Sequence, residues 1–176
     1  VHGTIVECNT AYPGERNTTN AHRRTMIKHG WSKLFDVDIL DAEGPDLELP
    51  IPNGKRIQKN LVGKDIKNYD SMLVLSHFKG HPMGGFGGAL KQLSIGCASS
   101  AGKANIHGAG KPEEMWTTEQ NAFLESMADA AESVVKLFDG KIVYINVMKN
   151  MSVDCDCCAV AEDPCMKDIG ILASLD

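Results

Sequence analysis

The sequence predicts an α/β fold: a largely parallel sheet flanked by helices, in a single domain that spans residues 1–176. Two observations lead to this prediction. Short apolar segments suited to strands alternate with segments that carry helical periodicity or helix caps. The segments 72–75 and 142–147 are apolar on successive residues, which is typical of strands covered on both faces. We therefore expect these two segments to be the central strands.

The N-terminal part of the chain contains three predicted strands and one well-marked helix. Thr18 is positioned to cap a helix that continues to His29, and Gly30 can end it in the left-handed conformation that glycine tolerates. At most a short helix is expected at 63–69. The three strands are predicted at residues 4–8, 37–40 and 56–62, the last of them at a sheet edge.

The longest predicted helix covers residues 117–138. Thr117 and Gln120 have the spacing of a capping box, apolar residues recur on one face, and Gly140 follows the end. The remaining predicted elements are helical turns at 89–95 and strands at 142–148 and 169–173. Both ends of the chain fall in strand-like segments, so we expect the sequence to be a fragment of a longer protein.

Composition and charge argue against several classes of partner. Of 176 residues, 43% are hydrophobic and 23% are charged, as in ordinary soluble globular proteins. The formal net charge is −5, from 18 basic and 23 acidic side chains, and there is no long basic run. We therefore expect neither nucleic acid nor a membrane as a partner. No apolar run approaches the roughly 20 residues of a membrane-spanning helix.

The six cysteines are unevenly distributed. Four of them fall between Cys155 and Cys165, whereas a disulfide framework would spread its cysteines along a short secreted chain. We therefore expect reduced thiols, a cytoplasmic location and no structural disulfide. Cys8 and Cys97 are expected to be small buried apolar residues rather than ligands.

Ionisable side chains are concentrated in the stretch 72–107, where a predicted strand leads into a glycine-dense loop. In open α/β sheets, ligands bind beyond the carboxyl ends of the strands. Parallel strands would bring the polar loops that follow them to one edge of the sheet, and we expect a single site there. These loops cover residues 9–17, 41–46, 77–88 and 149–167.

Three histidines belong to these segments: His77, His81 and His107. Imidazole nitrogens bind transition metals, and histidine is the side chain whose ordinary pKa suits proton transfer near neutral pH. The alternative is that the three rings make ordinary hydrogen bonds within loops.

The sequence GGFGGALK, residues 84–91, suggests a loop that binds an anion through backbone amides and Lys91. Gly85, Gly87 and Gly88 lack the side chains that would block the approach of a ligand. The segment is not a Walker motif, because it does not end in Gly-Lys-Ser/Thr, and no GxGxxG register fits it. A flexible turn before a helix is the alternative interpretation.

Cys155 and Cys157, in the sequence CDCC, offer thiolates that suit zinc, copper or an iron–sulfur centre. One residue separates them, whereas the common zinc and ferredoxin pairs are separated by two or more. A surface loop with reactive thiols, or a local disulfide formed on oxidation, is an equally good interpretation.

Several motifs in order, HFKGH, GFGGALK, GCASSAGK, CDC and DIGILASLD, resemble the domain-of-unknown-function 362 family, often described as uncharacterised iron–sulfur-centre proteins. The resemblance covers nearly the whole chain. Many members of that family carry a ferredoxin-like insertion soon after the position of His107, which this sequence lacks. A shorter stretch is similar to the cofactor segment of nickel-pincer lactate racemase. That similarity implies that Lys91 carries a cofactor, His107 binds nickel and His81 acts as a base.

Together these interpretations predict an enzyme that acts on a small anionic molecule with the help of a transition metal, whether iron–sulfur, nickel or zinc. The expected reaction is of the isomerase, racemase or redox type. A non-catalytic redox or metal-handling protein that uses the CDCC loop is the alternative, and a scaffold whose glycine loop binds a partner is a third possibility. The expected metal ligands are His77, His107, Cys155 and Cys157.

The remaining site residues are expected to bind and transfer charge. His81 would move a proton, and Lys79 and Lys91 would neutralise the substrate or cofactor. We expect the three histidines, Lys91 and one of the two cysteines to line one pocket. The expected cofactor-binding residues are Gly85, Gly87, Gly88, Lys91 and Lys103.

Overall fold

Short strands and helices alternate along much of the chain. The structure, a computed structural model, describes residues 3–155 and 163–175. The strands are β1 Thr4–Glu7, β2 Asp36–Ile39, β3 Leu47–Pro50, β4 Lys59–Val62, β5 Met72–His77, β6 Lys79–His81, β7 Gly85–Gly87, β8 Ile142–Met148 and β9 Gly170–Ser174. The helices are α1 Thr19–Lys28, α2 Ala89–Lys91, α3 Ser100–His107 and α4 Gln120–Phe138. A π-helical turn, Gln92–Gly96, continues α2, and 3-10 turns lie at Trp31–Lys33, Lys64–Asn68 and Pro112–Glu114.

The prediction of a largely parallel sheet is wrong. The described strands form four small sheets, in the orders β1–β2, β3–β4, β5–β8–β9 and β6–β7. β1 pairs with β2 and β5 with β8 in parallel, whereas β3–β4, β6–β7 and β8–β9 are antiparallel. A parallel pair needs a long crossover, which α-helices supply between β1 and β2 and between β5 and β8. Within the described residues no α-helix separates the other paired strands, so the chain returns antiparallel.

The two segments expected at the sheet centre have different positions. β8 lies between β5 and β9, in agreement with the prediction, but β5 is an edge strand of its sheet. Val74 and Ser76 are buried, while Leu73 and Leu75 on the opposite face are more than half exposed. An unbroken apolar run in β5 therefore does not mean that both of its faces are covered.

Helix α4 contributes to both apolar clusters of the core. Val134 and Phe138 pack in a cluster with buried residues of β4, β5 and β8. Phe123 and Met127, nearer the start of the helix, pack with Ile106 of α3 in the second cluster. The apolar stripe predicted for this helix is therefore confirmed, and it connects the two halves of the core.

The start of α4 differs from the predicted one. The helix begins at Gln120, and Glu119 rather than Thr117 precedes it as the cap. The Glu119 carboxylate accepts hydrogen bonds from the backbone N–H groups of Asn121 and Ala122, at 3.0 Å each. A carboxylate at this position satisfies N–H groups that have no partner within the helix.

Helix α3 is not predicted by the sequence, although it carries Lys103 and His107. Glycine and serine at its start have modest helix propensity. The helix is favoured by its cap, since Ser99 Oγ accepts a hydrogen bond from Gly102 N at 3.0 Å. It also packs closely on β4: a Cβ on Gly102 would lie 1.9 Å from the carbonyl oxygen of Leu61.

Several local predictions are confirmed. Thr18 caps α1 by accepting a hydrogen bond from Ala21 N, and Gly30 adopts a φ of 80° after the helix. A 3-10 turn occupies the segment expected to be a short helix at 63–69. Among the residues that the structure describes, no helix has both the length and the apolarity that crossing a membrane requires.

Candidate functional site

The segment predicted as a loop after β5 contains the β6–β7 hairpin. His81 is paired with Gly85, whose φ of 72° is a left-handed conformation that glycine adopts readily. The rings of Phe78 and Phe86 stack with their centroids 5.3 Å apart. These contacts hold the hairpin in a defined shape just beyond the carboxyl end of β5.

Gly80 fixes the hairpin against the segment that carries Cys155. The Gly80 N–H donates a hydrogen bond to Ser152 O at 2.8 Å. A Cβ on Gly80 would lie 1.5 Å from the carbonyl oxygen of Val153, so no other residue fits without moving the backbone. The glycine is needed here for close packing within the protein.

Asn146 of β8 positions the helical segment that carries Lys91. Its Oδ1 accepts a hydrogen bond from Ala89 N at 2.9 Å, and a Cβ on Gly88 would lie 3.0 Å from the same oxygen. Gly88 was expected to make room for a ligand, and its observed neighbours are Asn146 and the ring of Phe78. Lys91 then lies where α2 passes into the π-helical turn, and such turns are frequent at functional sites.

Four of the predicted site residues share one neighbourhood. Lys91 Nζ lies 3.8 Å from the Sγ of Cys155, whose side chain is buried. Burial lowers the pKa of His107, and electrostatic interactions with Lys91 and His81 lower it further. We call His81, Lys91, His107 and Cys155 the His–Lys–Cys cluster.

The hydrogen bond of His107 determines which ring nitrogen is available. Its Nδ1 lies 2.7 Å from the carbonyl oxygen of Lys103, one helical turn earlier. A carbonyl oxygen only accepts, so Nδ1 carries the proton. Because its pKa is lowered, the ring is neutral near neutral pH and Nε2 retains its lone pair. The ring stacks on Phe123, with the centroids 4.8 Å apart, which fixes its plane.

His81 has the opposite arrangement. The backbone N–H of Gly84 donates to its Nδ1 at 2.9 Å. This bond requires a lone pair on Nδ1, so the proton of the neutral ring lies on Nε2. The side chain of His81 is buried. In this arrangement His81 offers an N–H donor, whereas His107 offers a lone pair.

His77 ends β5 and Lys79 begins the hairpin, and each makes a hydrogen bond to a backbone carbonyl oxygen. His77 Nε2 donates to the carbonyl oxygen of Lys149 at 2.7 Å, at the ends of β5 and β8. Lys79 Nζ donates to the carbonyl oxygen of His77 at 3.2 Å, and the lysine side chain lies alongside Gly87. The first of these bonds engages Nε2, one of the two ring nitrogens through which His77 could bind a metal.

The side chain of Lys103 does not belong to the His–Lys–Cys cluster and contacts a separate set of polar groups. Its Nζ donates to the carbonyl oxygen of Ala98 at 2.6 Å, and burial lowers its pKa. Electrostatic interactions with Cys8, Asp41 and Glu7, at the carboxyl ends of β1 and β2, oppose this effect and raise the pKa. The lysine predicted to bind a cofactor is thus buried beneath α3.

Asp41 holds α3 against the loops that follow β1 and β2. Its two carboxylate oxygens accept hydrogen bonds from Asn9 N and Ser100 N, at 2.9 Å each. Ser100 Oγ also donates to the carbonyl oxygen of Thr10 at 3.0 Å. The polar loops therefore form two groups: one at Asp41, and one at the His–Lys–Cys cluster, with α3 between them. In the sequence, Asp41 belongs to one of the four polar loops, and a carboxylate in such a loop is too common a signal to reveal this role.

The His–Lys–Cys cluster contains too few described ligands to complete a metal site. Across residues 3–155 and 163–175, no group of three His, Cys, Asp or Glu side chains is placed to hold a metal ion. His107 and Cys155 would supply two ligands at most. Cys157, the other predicted thiolate ligand, lies outside the described residues, as does Cys158.

The remaining described cysteines are free thiols. Cys8 and Cys97 are buried, and the Cys8 thiol donates a hydrogen bond to the carbonyl oxygen of Cys97 at 3.4 Å. Burial raises the pKa of both thiols, that of Cys97 to about 12. Both residues therefore act as unreactive parts of the core.

The sequence matches one known family model. A family model described as "Domain of unknown function (DUF362)" matches residues 2–176. No curated protein matches the sequence significantly. The family description names no activity. It therefore supports neither the iron–sulfur nor the nickel-pincer resemblance.

Proposed function

The chain belongs to the DUF362 family, and we propose that it is an enzyme that acts on a small anionic molecule at the His–Lys–Cys cluster. The observation that carries this proposal is the complementary state of the two imidazoles. His107 presents a lone pair at Nε2, and His81 presents a proton at Nε2. Lys91 adds a positive charge near His107.

This combination suits the removal of a proton next to a carboxylate or carbonyl group. His107 is the base, because its proton is held at Nδ1 and its lowered pKa keeps Nε2 free at neutral pH. His81 donates a hydrogen bond to the oxygen on which negative charge develops, a role that a neutral imidazole can fill. Lys91 attracts the anionic group of the substrate.

The roles of the histidines therefore differ from those expected from the sequence. The racemase similarity gave the role of base to His81, but its Nδ1 is occupied by Gly84 N–H. To offer a lone pair at Nε2 as well, the neutral ring would have to lose its one N–H proton and become an imidazolate, which is strongly unfavourable near neutral pH. His107 has no such obstacle. Isomerisation or racemisation is the class of reaction that this arrangement favours.

Metal binding is a second candidate function, with one specific observation in its favour. A metal-binding histidine commonly donates its other ring N–H to a backbone carbonyl, as His107 donates to Lys103 O. Cys155 would add a thiolate beside Lys91. Since the described residues supply at most two such ligands, this candidate depends on Cys157 and the rest of the CDCC sequence. A non-catalytic metal-handling protein would need the same ligands.

The proposal includes a cytoplasmic location. Cys8, Cys97 and Cys165 are free thiols, which suits a reducing compartment.

Solvent proton exchange tests the catalytic proposal. Protein purified without oxygen is incubated in D2O with a panel of short 2-hydroxy and 2-oxo carboxylates, and loss of the substrate C–H signal is followed by NMR. His107→Gln should lower the exchange rate by about 10²–10⁴-fold, the usual contribution of a positioned base. His81→Gln should retain more activity than His81→Ala, because the glutamine amide can still donate a hydrogen bond.

His29→Gln is the matched control, since His29 is exposed at the end of α1. Full activity in His107→Gln, or no exchange by the wild-type protein with any carboxylate of the panel, would contradict the proposal. Metal analysis of the same preparations separates the second candidate. A stoichiometric metal that is lost in both His107→Ala and Cys157→Ala would favour metal binding.

A further inference from the structure

Four large apolar side chains project from one corner of the molecule. Ile27 lies at the end of α1, and Trp31, Leu34 and Phe35 lie in the 3-10 turn and the residues after it. Leu34 is 80% exposed, and the other three are at least 50% exposed. Gly30, with a φ of 80°, makes the turn that brings the second group next to the helix end. We call these four residues the apolar corner.

The position of the apolar corner follows from the way α1 packs. His22 and Met26 are the buried residues of this helix, so the face that carries Ile27 is turned away from the core. The Phe35 ring lies about a van der Waals contact from Gly3, at the start of β1. The corner is thus anchored to the fold, while its outer surface has no apolar cover in the described structure.

Positive charge surrounds the apolar corner. Arg23, Arg24, Lys28 and Lys33 are all exposed. Within the described residues, none of the four forms an ion pair with a carboxylate. No acidic residue occurs in the sequence between Glu15 and Asp36. A chain with a net charge of −5 therefore carries a local excess of four positive charges here.

We propose that residues 23–35 form a peripheral membrane-binding surface that is selective for anionic lipids. The apolar corner would enter the boundary between headgroups and acyl chains, where tryptophan is favoured, and the four cations would contact the lipid phosphates. The four side chains are at least half exposed and are surrounded by cations, which suits an anionic bilayer surface. This proposal is independent of the proposed enzymatic function.

The proposal departs from the expectation of no membrane partner. That expectation rested on the net charge of the whole chain, which averages the basic segment with acidic residues elsewhere. Attraction to a charged surface is local, because screening limits it to about 8 Å at physiological salt. The charge that matters is therefore that of residues 23–35 and their immediate neighbours, including the exposed Asp36 at one side.

Vesicle sedimentation tests the proposal directly. The wild-type protein should sediment with phosphatidylcholine vesicles that contain about 30% phosphatidylglycerol, and much less with pure phosphatidylcholine vesicles. Arg24→Gln with Lys28→Gln should weaken binding about fivefold for each cation removed. Trp31→Ser with Leu34→Ser should weaken it about tenfold or more, through loss of apolar burial.

Trp116→Ser is the matched control for the apolar variant, because Trp116 is also exposed but lies outside residues 23–35. It should bind vesicles like the wild type. In a Trp116→Phe protein, Trp31 is the remaining tryptophan, and its emission should shift to the blue with anionic vesicles. Circular dichroism checks that each variant is folded.

Three results would overturn the proposal. One is a wild-type protein that does not bind anionic vesicles. Another is a Trp31/Leu34 double variant that is folded and binds as well as the wild type. The third is a wild-type protein that self-associates without lipid and does not bind vesicles, while the double variant does not self-associate. The apolar corner would then be a contact between protein copies.

Discussion

At the scale of single residues, hydrogen bonds to the backbone determine the chemistry of the histidines. A carbonyl oxygen faces Nδ1 of His107 and an N–H group faces Nδ1 of His81, so the two rings present different groups at Nε2. His22, outside the cluster, is buried beside the amide oxygen of Asn9, 3.3 Å from its Nδ1. Its environment affects stability rather than catalysis.

The buried His22 should make the stability of the protein depend on pH. Burial, with smaller effects from Arg16 and Lys103, lowers its pKa from 6.5 to about 4. The unfolded chain therefore binds more protons than the folded one between these values, so the free energy of unfolding should fall as pH decreases from 6.5 towards 4. Urea unfolding at neutral pH and near the lower value should show a His22-dependent loss of up to about 3 kcal/mol.

His22→Gln removes the titrating group, so the pH dependence of its stability should be smaller by that amount. His29→Gln, at an exposed position, should keep the wild-type dependence. If His22→Gln has the same pH dependence as the wild type, another group is responsible.

At the scale of elements, close backbone contacts bring distant segments to the site. The β6–β7 hairpin rests on residues 151–155 at Gly80, and α3 rests on β4 at Gly102. The start of α4 is linked to the hairpin region by a hydrogen bond from Gln120 to the carbonyl oxygen of Met83. Each contact determines where a side chain of the His–Lys–Cys cluster lies.

Gly80→Ala should disturb the cluster without changing any of its side chains. The new Cβ would meet Val153 O at 1.5 Å, so the hairpin and residues 151–155 must separate. We expect a loss of about 2 kcal/mol or more in stability, and faster reaction of Cys155 with a thiol reagent. Gly87→Ala is the control in the same hairpin, because its Cβ would meet only Lys79 at an ordinary 3.5 Å. Equal effects of the two substitutions would exclude this explanation.

Asp129 of α4 fixes the turn before β4. Its carboxylate accepts hydrogen bonds from the backbone N–H groups of Lys55, Arg56 and Ile57, at 3.0, 2.7 and 3.1 Å. Asp129→Ala would leave these donors without their partner, and we expect a loss of about 2–4 kcal/mol in the free energy of unfolding. Glu132→Ala, which removes only an exposed ion pair with Lys136, should change it by less than about 0.5 kcal/mol. Denaturant unfolding of both variants measures the difference, and similar losses would contradict the assigned role.

At the scale of the whole molecule, packing and hydrogen bonds hold the described structure together without a disulfide among its described cysteines. The two apolar clusters meet along α4, and Cys8 and Cys97 belong to the first of them. The outer face of β5, with Leu73 and Leu75, is exposed in the described structure. Stability is therefore concentrated on the inner faces of the sheets.

The melting temperature should be the same with and without a reducing agent. Cys8 and Cys97 are free thiols in the core, so a reductant has no bond between them to break. Calorimetry under both conditions, together with mass measurement of alkylated unfolded protein, checks this expectation. A substantial fall in melting temperature caused by reductant would show that a disulfide stabilises the domain.

The sequence by itself determined the elements whose signals are local. Thr18 and Gly30 bound α1, and the apolar stripe predicts α4, because caps and helical periodicity act between residues a few positions apart. It also identified the histidines and Lys91 as residues that are unusual for a core. Helix α3 was not predicted, because its first residues have modest helix propensity and its close packing against β4 is not visible in the sequence.

Only the tertiary structure decided the direction of strand pairing and the role of each ionisable side chain. β5 and β9 are both apolar segments, yet β8 pairs in parallel with β5 and antiparallel with β9. In the described chain, an α-helical crossover connects β5 to β8, whereas none connects β8 to β9. Lys91 and Lys103 are the same residue type in neighbouring helical segments, but one lies beside Cys155 and the other is buried against Ala98. The physical reason is that these contacts join residues far apart in sequence or depend on long-range packing, and no local pattern records them.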